Sequence, residues 1–155
     1  MAKKKSDTSS TNKKVVESLR VVLADTYALM GQTHLCHWNV EGPSFFALHA
    51  AFEAQYTELF TAADEIAERL RALGAYAPGG LRSLAEIAGM NELSEKTSAE
   101  KMVASLVEDH TKLVKDAAKV RDLAGDADDK ETEDLMIARI QVHEKTVWML
   151  KSFLK

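Results

Sequence analysis

One cysteine, two prolines and seven glycines are spread through 155 residues. A lone thiol, Cys36, cannot build an intramolecular disulfide, so the chain is no cystine-stapled scaffold and suits a reducing compartment. So little proline and glycine excludes a collagen-like chain, and a composition 46% hydrophobic and 28% charged excludes wholesale disorder. No run of eighteen apolar residues occurs, and no hydrophobic stretch follows the charged start MAKKKSDTSSTNKK. Neither a membrane span nor a secretory leader is expected, and the cytoplasm is the expected location. Strand signals are missing too. What is present is enough apolar material to bury the core of one domain.

The net charge of −4 is unevenly placed. Residues 1–14 hold Lys3, Lys4, Lys5, Lys13 and Lys14 against Asp7, whereas the remainder is acidic. A basic arm on an acidic body is the pattern to explain. From about residue 13, Val15, Leu19, Val22, Leu23, Tyr27 and Met30 recur three or four apart, as on a helix that Gly42-Pro43 stops. A second helix is predicted over about 44–72 with Ser44 as N-cap, and a short one near Ser83–Ala88. Thr97-Ser-Ala-Glu100 reads as a capping box for a third long helix ending before Gly125, and a fourth runs from about 130 to 153. The expectation is an all-α four-helix bundle over 13–155, preceded by a flexible basic tail over 1–12 and carrying a short extra helix between the second and third long ones.

Two i,i+4 pairs lie on the second helix, His49 with Glu53 and Asp64 with Glu68. Imidazole and carboxylate together suit iron, manganese or zinc. The pairs are 15 residues apart, roughly 22 Å along a helix, too far for one metal cluster. A second copy packed antiparallel about a two-fold axis near Glu58 would set each pair against the other and create two identical sites. His37, beside the Gly-Pro turn, could add a nitrogen from the chain that supplies His49. The alternative is that such pairs are solvated surface.

The run His34-Leu-Cys-His37-Trp38-Asn39-Val40-Glu41-Gly42-Pro-Ser-Phe45-Phe-Ala-Leu48-His49, followed by Phe52, Glu53, Asp64, Glu68 and Arg69, closely resembles the Dps family of ferritin-like miniferritins, across essentially the whole chain. The resemblance implies a ferritin-like four-helix bundle assembled as a hollow dodecamer. It implies di-iron ferroxidase centres at two-fold interfaces, with His37, His49 and Glu53 from one chain and Asp64 and Glu68 from its partner. Glu53 departs from the family's usual aspartate; its extra methylene implies looser, water-mediated or bidentate coordination. Ordinary ferritins use Glu-x-x-His motifs inside one bundle, and this sequence has none.

The implied activity is Fe(II) oxidation, preferably by hydrogen peroxide, and storage of ferric mineral. Trp38 either packs beside the centre, takes up a stray oxidising equivalent or anchors the core, and His34 is a supporting residue or a packing one. Asp134, with Asp129 and Glu133, is favoured as lining an acidic pore, the alternative being favourable charge at a helix start. Glu58 and Glu65 are weaker candidates for mineral nucleation. His110 and His143 lack a convergent carboxylate pattern and read as structural. Lys3, Lys4, Lys5, Lys13 and Lys14 are candidates for sequence-independent DNA binding, which would place the protein at the nucleoid. The rival reading is a DNA-condensing nucleoid protein with a weak or vestigial metal site.

Overall fold

Residues 2–155 are described by a computed structural model, with side chains from residue 12 onward. Four long helices and a short one follow in the predicted order: α1 (Ala2–Asn39), α2 (Phe45–Ala72), α3 (Leu81–Ile87), α4 (Ala99–Asp126) and α5 (Lys130–Phe153). No strand occurs among the described residues. None of their helices is long and apolar enough to cross a membrane.

Polar bonds show how the helices run. Asp25 meets Lys112 while Gln32 meets Asp109, so α1 and α4 are antiparallel. Glu58 meets Arg139 while Arg69 meets Asp129, so α2 and α5 are antiparallel as well. Since α1 and α2 are joined by a short turn, α2 and α4 point the same way, and the chain must cross the bundle between them. That crossover carries α3, the arrangement of a ferritin-like bundle. The core between the long helices holds Leu19, Phe52, Ile66, Leu106, Leu113 and Met136, each fully buried.

The crossover is tied down by buried polar groups. Gln32 accepts from the Leu93 amide at 2.8 Å and donates to the Asn91 carbonyl and to Asp109. Asp25, wholly buried, accepts from the Gly89 amide and pairs with Lys112. These bonds satisfy loop amides and carbonyls that burial would otherwise leave without partners.

Four boundaries differ from expectation, each for a local reason. α1 is continuous from Ala2, since no proline or glycine precedes Gly31. α3 begins at Leu81, directly after Gly80. α4 runs through Gly125 because the chain reverses at Asp128 instead, whose φ of 59° is one that aspartate tolerates. Its N-cap is Ser98, whose hydroxyl accepts from the Lys101 amide, while the Thr97 hydroxyl turns back to the Ser94 carbonyl. Ser44 is the N-cap residue of α2, without a side-chain cap bond.

Candidate metal centre

The end of α1 and the start of α2 bring two histidines face to face. α1 stops at Asn39, which leaves its last carbonyls without helical donors. Gly42, at φ 102°, makes the turn in a conformation that side chains disfavour, and α2 then returns past the open end of α1. The His49 ring donates from Nδ1 to the His37 carbonyl at 2.8 Å, and His37 donates from Nδ1 to the His49 carbonyl at 2.9 Å. The rings stack with centroids 3.7 Å apart. Each bond puts a proton on Nδ1, so Nε2 is the nitrogen that each ring can offer a metal.

Aromatic rings surround this pair. Phe45 stacks on His49 at 5.0 Å, and Tyr56 meets His37 edge-on at 5.2 Å. His34 lies 4.1 Å from Tyr56 and stacks on Trp38 at 5.1 Å. Burial, and then the neighbouring His37, lower the His34 pKa. Trp38 is 69% exposed in the single chain, so it is not a core anchor of this bundle. The sequence alone does not announce Phe45 and Tyr56 as neighbours of the histidines. Their spacing from His49, one turn before and two turns after, was the available signal.

Glu53, Asp64 and Glu68 are all exposed on α2. With Phe46 and Phe60, which are 86% and 64% exposed, they form one stripe at helical spacing. Among the described residues no three His, Cys, Asp or Glu side chains converge within one chain. The histidine pair is therefore together, and the two carboxylates near the far end of α2 stand apart from it by roughly four turns of helix. A cavity of about 710 Å³ between α1 and α3 has none of these residues in its lining, which includes Tyr27, Gly31, Leu84 and Met90.

The bundle interior offers a contrast. Arg139 is paired with Glu58 and donates to His143 Nε2 at 3.2 Å. His143 must then carry its proton on Nδ1 and donate it to His110 Nδ1, 2.8 Å away. That leaves His110 Nε2 as a buried donor without a protein partner. Burial first, and nearby Arg139, push the His110 pKa down to about 3; burial, His110 and Arg139 push His143 down to about 2. A guanidinium and two histidines held as neutral, mutually bonded groups make this interior unsuited to a metal cation. Burial, with Asp109 nearby, raises the Cys36 thiol to about 12, so it is an inert core residue.

The acidic candidates divide. Asp129 is the N-cap of α5, accepting from the Thr132 amide and hydroxyl, and pairs with Arg69 at 2.6 Å. Glu133 pairs with Lys130, whereas Asp134 is exposed. Glu58 is engaged by Arg139; Glu65 is exposed. Lys13 and Lys14 are exposed, and the side chains of Lys3, Lys4 and Lys5 lie outside the described residues.

Residues 16–155 match the ferritin-like domain family. The chain is 38% identical over 143 residues to DNA protection during starvation protein 2 of Bacillus anthracis, covering 92% of this chain and 98% of that one. Its fold superposes on a Dps protein from Bacillus brevis with a TM-score of 0.91 at 38% identity, covering 94% and 98% of the two chains. A Dps protein from Vibrio cholerae O1, described as a member of a superfamily of ferritin-like diiron-carboxylate proteins, gives 0.90 at 32% identity, with 94% and 92% covered. This is a ferritin-like protein, and within that class the chain belongs to the Dps family.

Proposed function

We propose that this protein oxidises Fe(II), preferably with hydrogen peroxide, at centres shared between two copies, and stores the ferric product inside a hollow dodecamer. The observation that carries the reading is the His37–His49 pair, with both Nε2 atoms left free and no carboxylate of its own chain beyond Glu53 within a turn of His49. The exposed stripe on α2 supplies the rest. Phe46 and Phe60 give that face apolar area to bury against a second copy, and an antiparallel two-fold arrangement sets the partner's Asp64 and Glu68 opposite His37, His49 and Glu53. Iron is the substrate. Carboxylates favour the ferric product through charge, while imidazoles hold Fe(II) at the outset.

Two Fe(II) ions each give up one electron. The peroxide takes both electrons and two protons and leaves as two waters, so no hydroxyl radical is released beside DNA. Tyr56, His34 and Trp38 wall the histidine side of the centre. Asp134, with Asp129 and Glu133, forms the acidic entry for cations, Asp129 doing so alongside its capping role. The first dozen residues act as a basic arm, and Lys3, Lys4, Lys5, Lys13 and Lys14 bind the DNA backbone without reading sequence. The protein then works in the cytoplasm, at the nucleoid. Rapid-mixing measurements of Fe(II) oxidation by peroxide test the reading: His49→Ala should remove the fast phase. Unchanged kinetics would leave DNA condensation as the function.

A further inference from the structure

Where α1 enters the bundle it runs along the last turns of α4, and a groove of about 400 Å³ opens between them. Its lining is Lys13, Lys14, Glu17 and Ser18 from α1 and Lys119 and Leu123 from α4. Three ammonium groups face one carboxylate there, on a body that is otherwise acidic. All three lysines are exposed, and among the described residues none of them makes an ion pair. The adjoining acid, Asp116, pairs at 2.8 Å with Lys112, an ammonium that it shares with the buried Asp25, and so bounds the basic edge on that side. Lys115, one turn before Lys119 and also exposed, extends the same basic edge of α4.

The position of the groove matters as much as its charge. The register that opposes Asp25 to Lys112 and Gln32 to Asp109 runs out near the start of the bundle, where α4 ends at Asp126. The groove is thus the last part of the folded body before the segment bearing Lys3, Lys4 and Lys5. A polyanion held by that segment would continue into it.

We propose that this α1–α4 groove is a folded binding site for the phosphate backbone of duplex DNA, with Lys119 supplying a charge from the body that the arm does not provide. The proposal rests on the DNA-binding reading above. Lysine is suited to the task as a mobile point charge that neutralises one phosphate without demanding a fixed geometry. Glu17 limits the site to the groove's basic edge, so a duplex would lie along Lys13, Lys14, Lys119 and Lys115 and not fill the groove toward Asp116.

The test uses the full chain and a fluorescently labelled duplex of arbitrary sequence, titrated by anisotropy over a series of salt concentrations. Lys119→Glu should weaken binding at least several-fold at low salt. The slope of log K against log salt should become shallower by about 0.9 for each phosphate that is no longer neutralised. Lys101→Glu makes the same change in net charge at the opposite end of α4 and should leave both quantities unchanged. Removing residues 2–11 should weaken binding while leaving a residual affinity that Lys119→Glu then removes. Circular dichroism and light scattering check that each variant keeps its fold and assembly. DNA binding that is indifferent to Lys119→Glu, or weakened equally by Lys101→Glu, overturns the groove and leaves the arm's role standing. A parent protein that fails to bind the duplex at any salt overturns both.

Discussion

At the scale of single residues, His37 and His49 orient each other through reciprocal bonds to backbone carbonyls, so losing one ring disturbs both. His49→Ala removes one of the proposed metal nitrogens and also leaves the His37 carbonyl without its donor. Initial rates of peroxide-driven Fe(II) oxidation, read from ferric absorbance after rapid mixing, should fall by about 10-fold or more. Glu53→Asp shortens the carboxylate by one methylene, and tighter Fe(II) binding is the expected result in an anaerobic titration. Spacing on one helix singled out His49, Glu53, Asp64 and Glu68, because i,i+4 neighbours can be counted along a sequence. The reciprocal ring bonds were not legible, since they depend on how a turn at Gly42 returns one helix past the end of another. Tyr56 was no more legible, for its ring has no partner in the sequence to announce its packing against His34 and His37.

Among the helices, the most consequential polar feature is the chain of bonds from Glu58 through Arg139 and His143 to His110. Both histidines have folded-state pKa values far below the ordinary one, at about 3 and about 2. The unfolded chain therefore binds protons that the folded chain refuses as pH falls below about 6.5. Their contribution to stability is complete above that pH and declines as pH falls toward the folded values. Thermal midpoints should drop between pH 7 and 5, before most carboxylates titrate. A His110→Asn, His143→Gln variant should show a flatter dependence over that range, with a lower midpoint at pH 7. At the start of α5, Asp129→Ala removes an N-cap and the partner of Arg69, and the cap alone should cost about 1 kcal/mol in denaturant unfolding. Apolar period placed the four long helices well, because each must bury a continuous stripe. It erred at the ends, where a left-handed Asp128 outweighed Gly125 as the stop and Ser98 took the cap in place of Thr97.

At the scale of the whole molecule, the bundle interior is closed to cations by Arg139 and its bonded histidines, while the outer stripe of α2 exposes aromatic rings beside carboxylates. The proposed chemistry accordingly belongs to the boundary between two chains and not to the inside of one. Hybrid assemblies make this testable: mixing His49→Ala chains with Asp64→Ala chains, each inactive alone, should restore part of the oxidation rate. In such a pair one interface collects every intact ligand while the other collects both substitutions. The crossover connection and the family resemblance made the bundle legible from the sequence, yet the exposed positions of Phe46, Phe60 and Trp38 needed the fold, since helical period alone does not say which apolar residues stay outside. The most direct measurement is an anomalous-scattering map at the iron edge from crystals soaked in Fe(II). It should place iron at the two-fold boundary, between His37, His49 and Glu53 of one copy and Asp64 and Glu68 of another. Iron bound wholly within one chain, or those helices lying far apart in the assembly, would contradict the account.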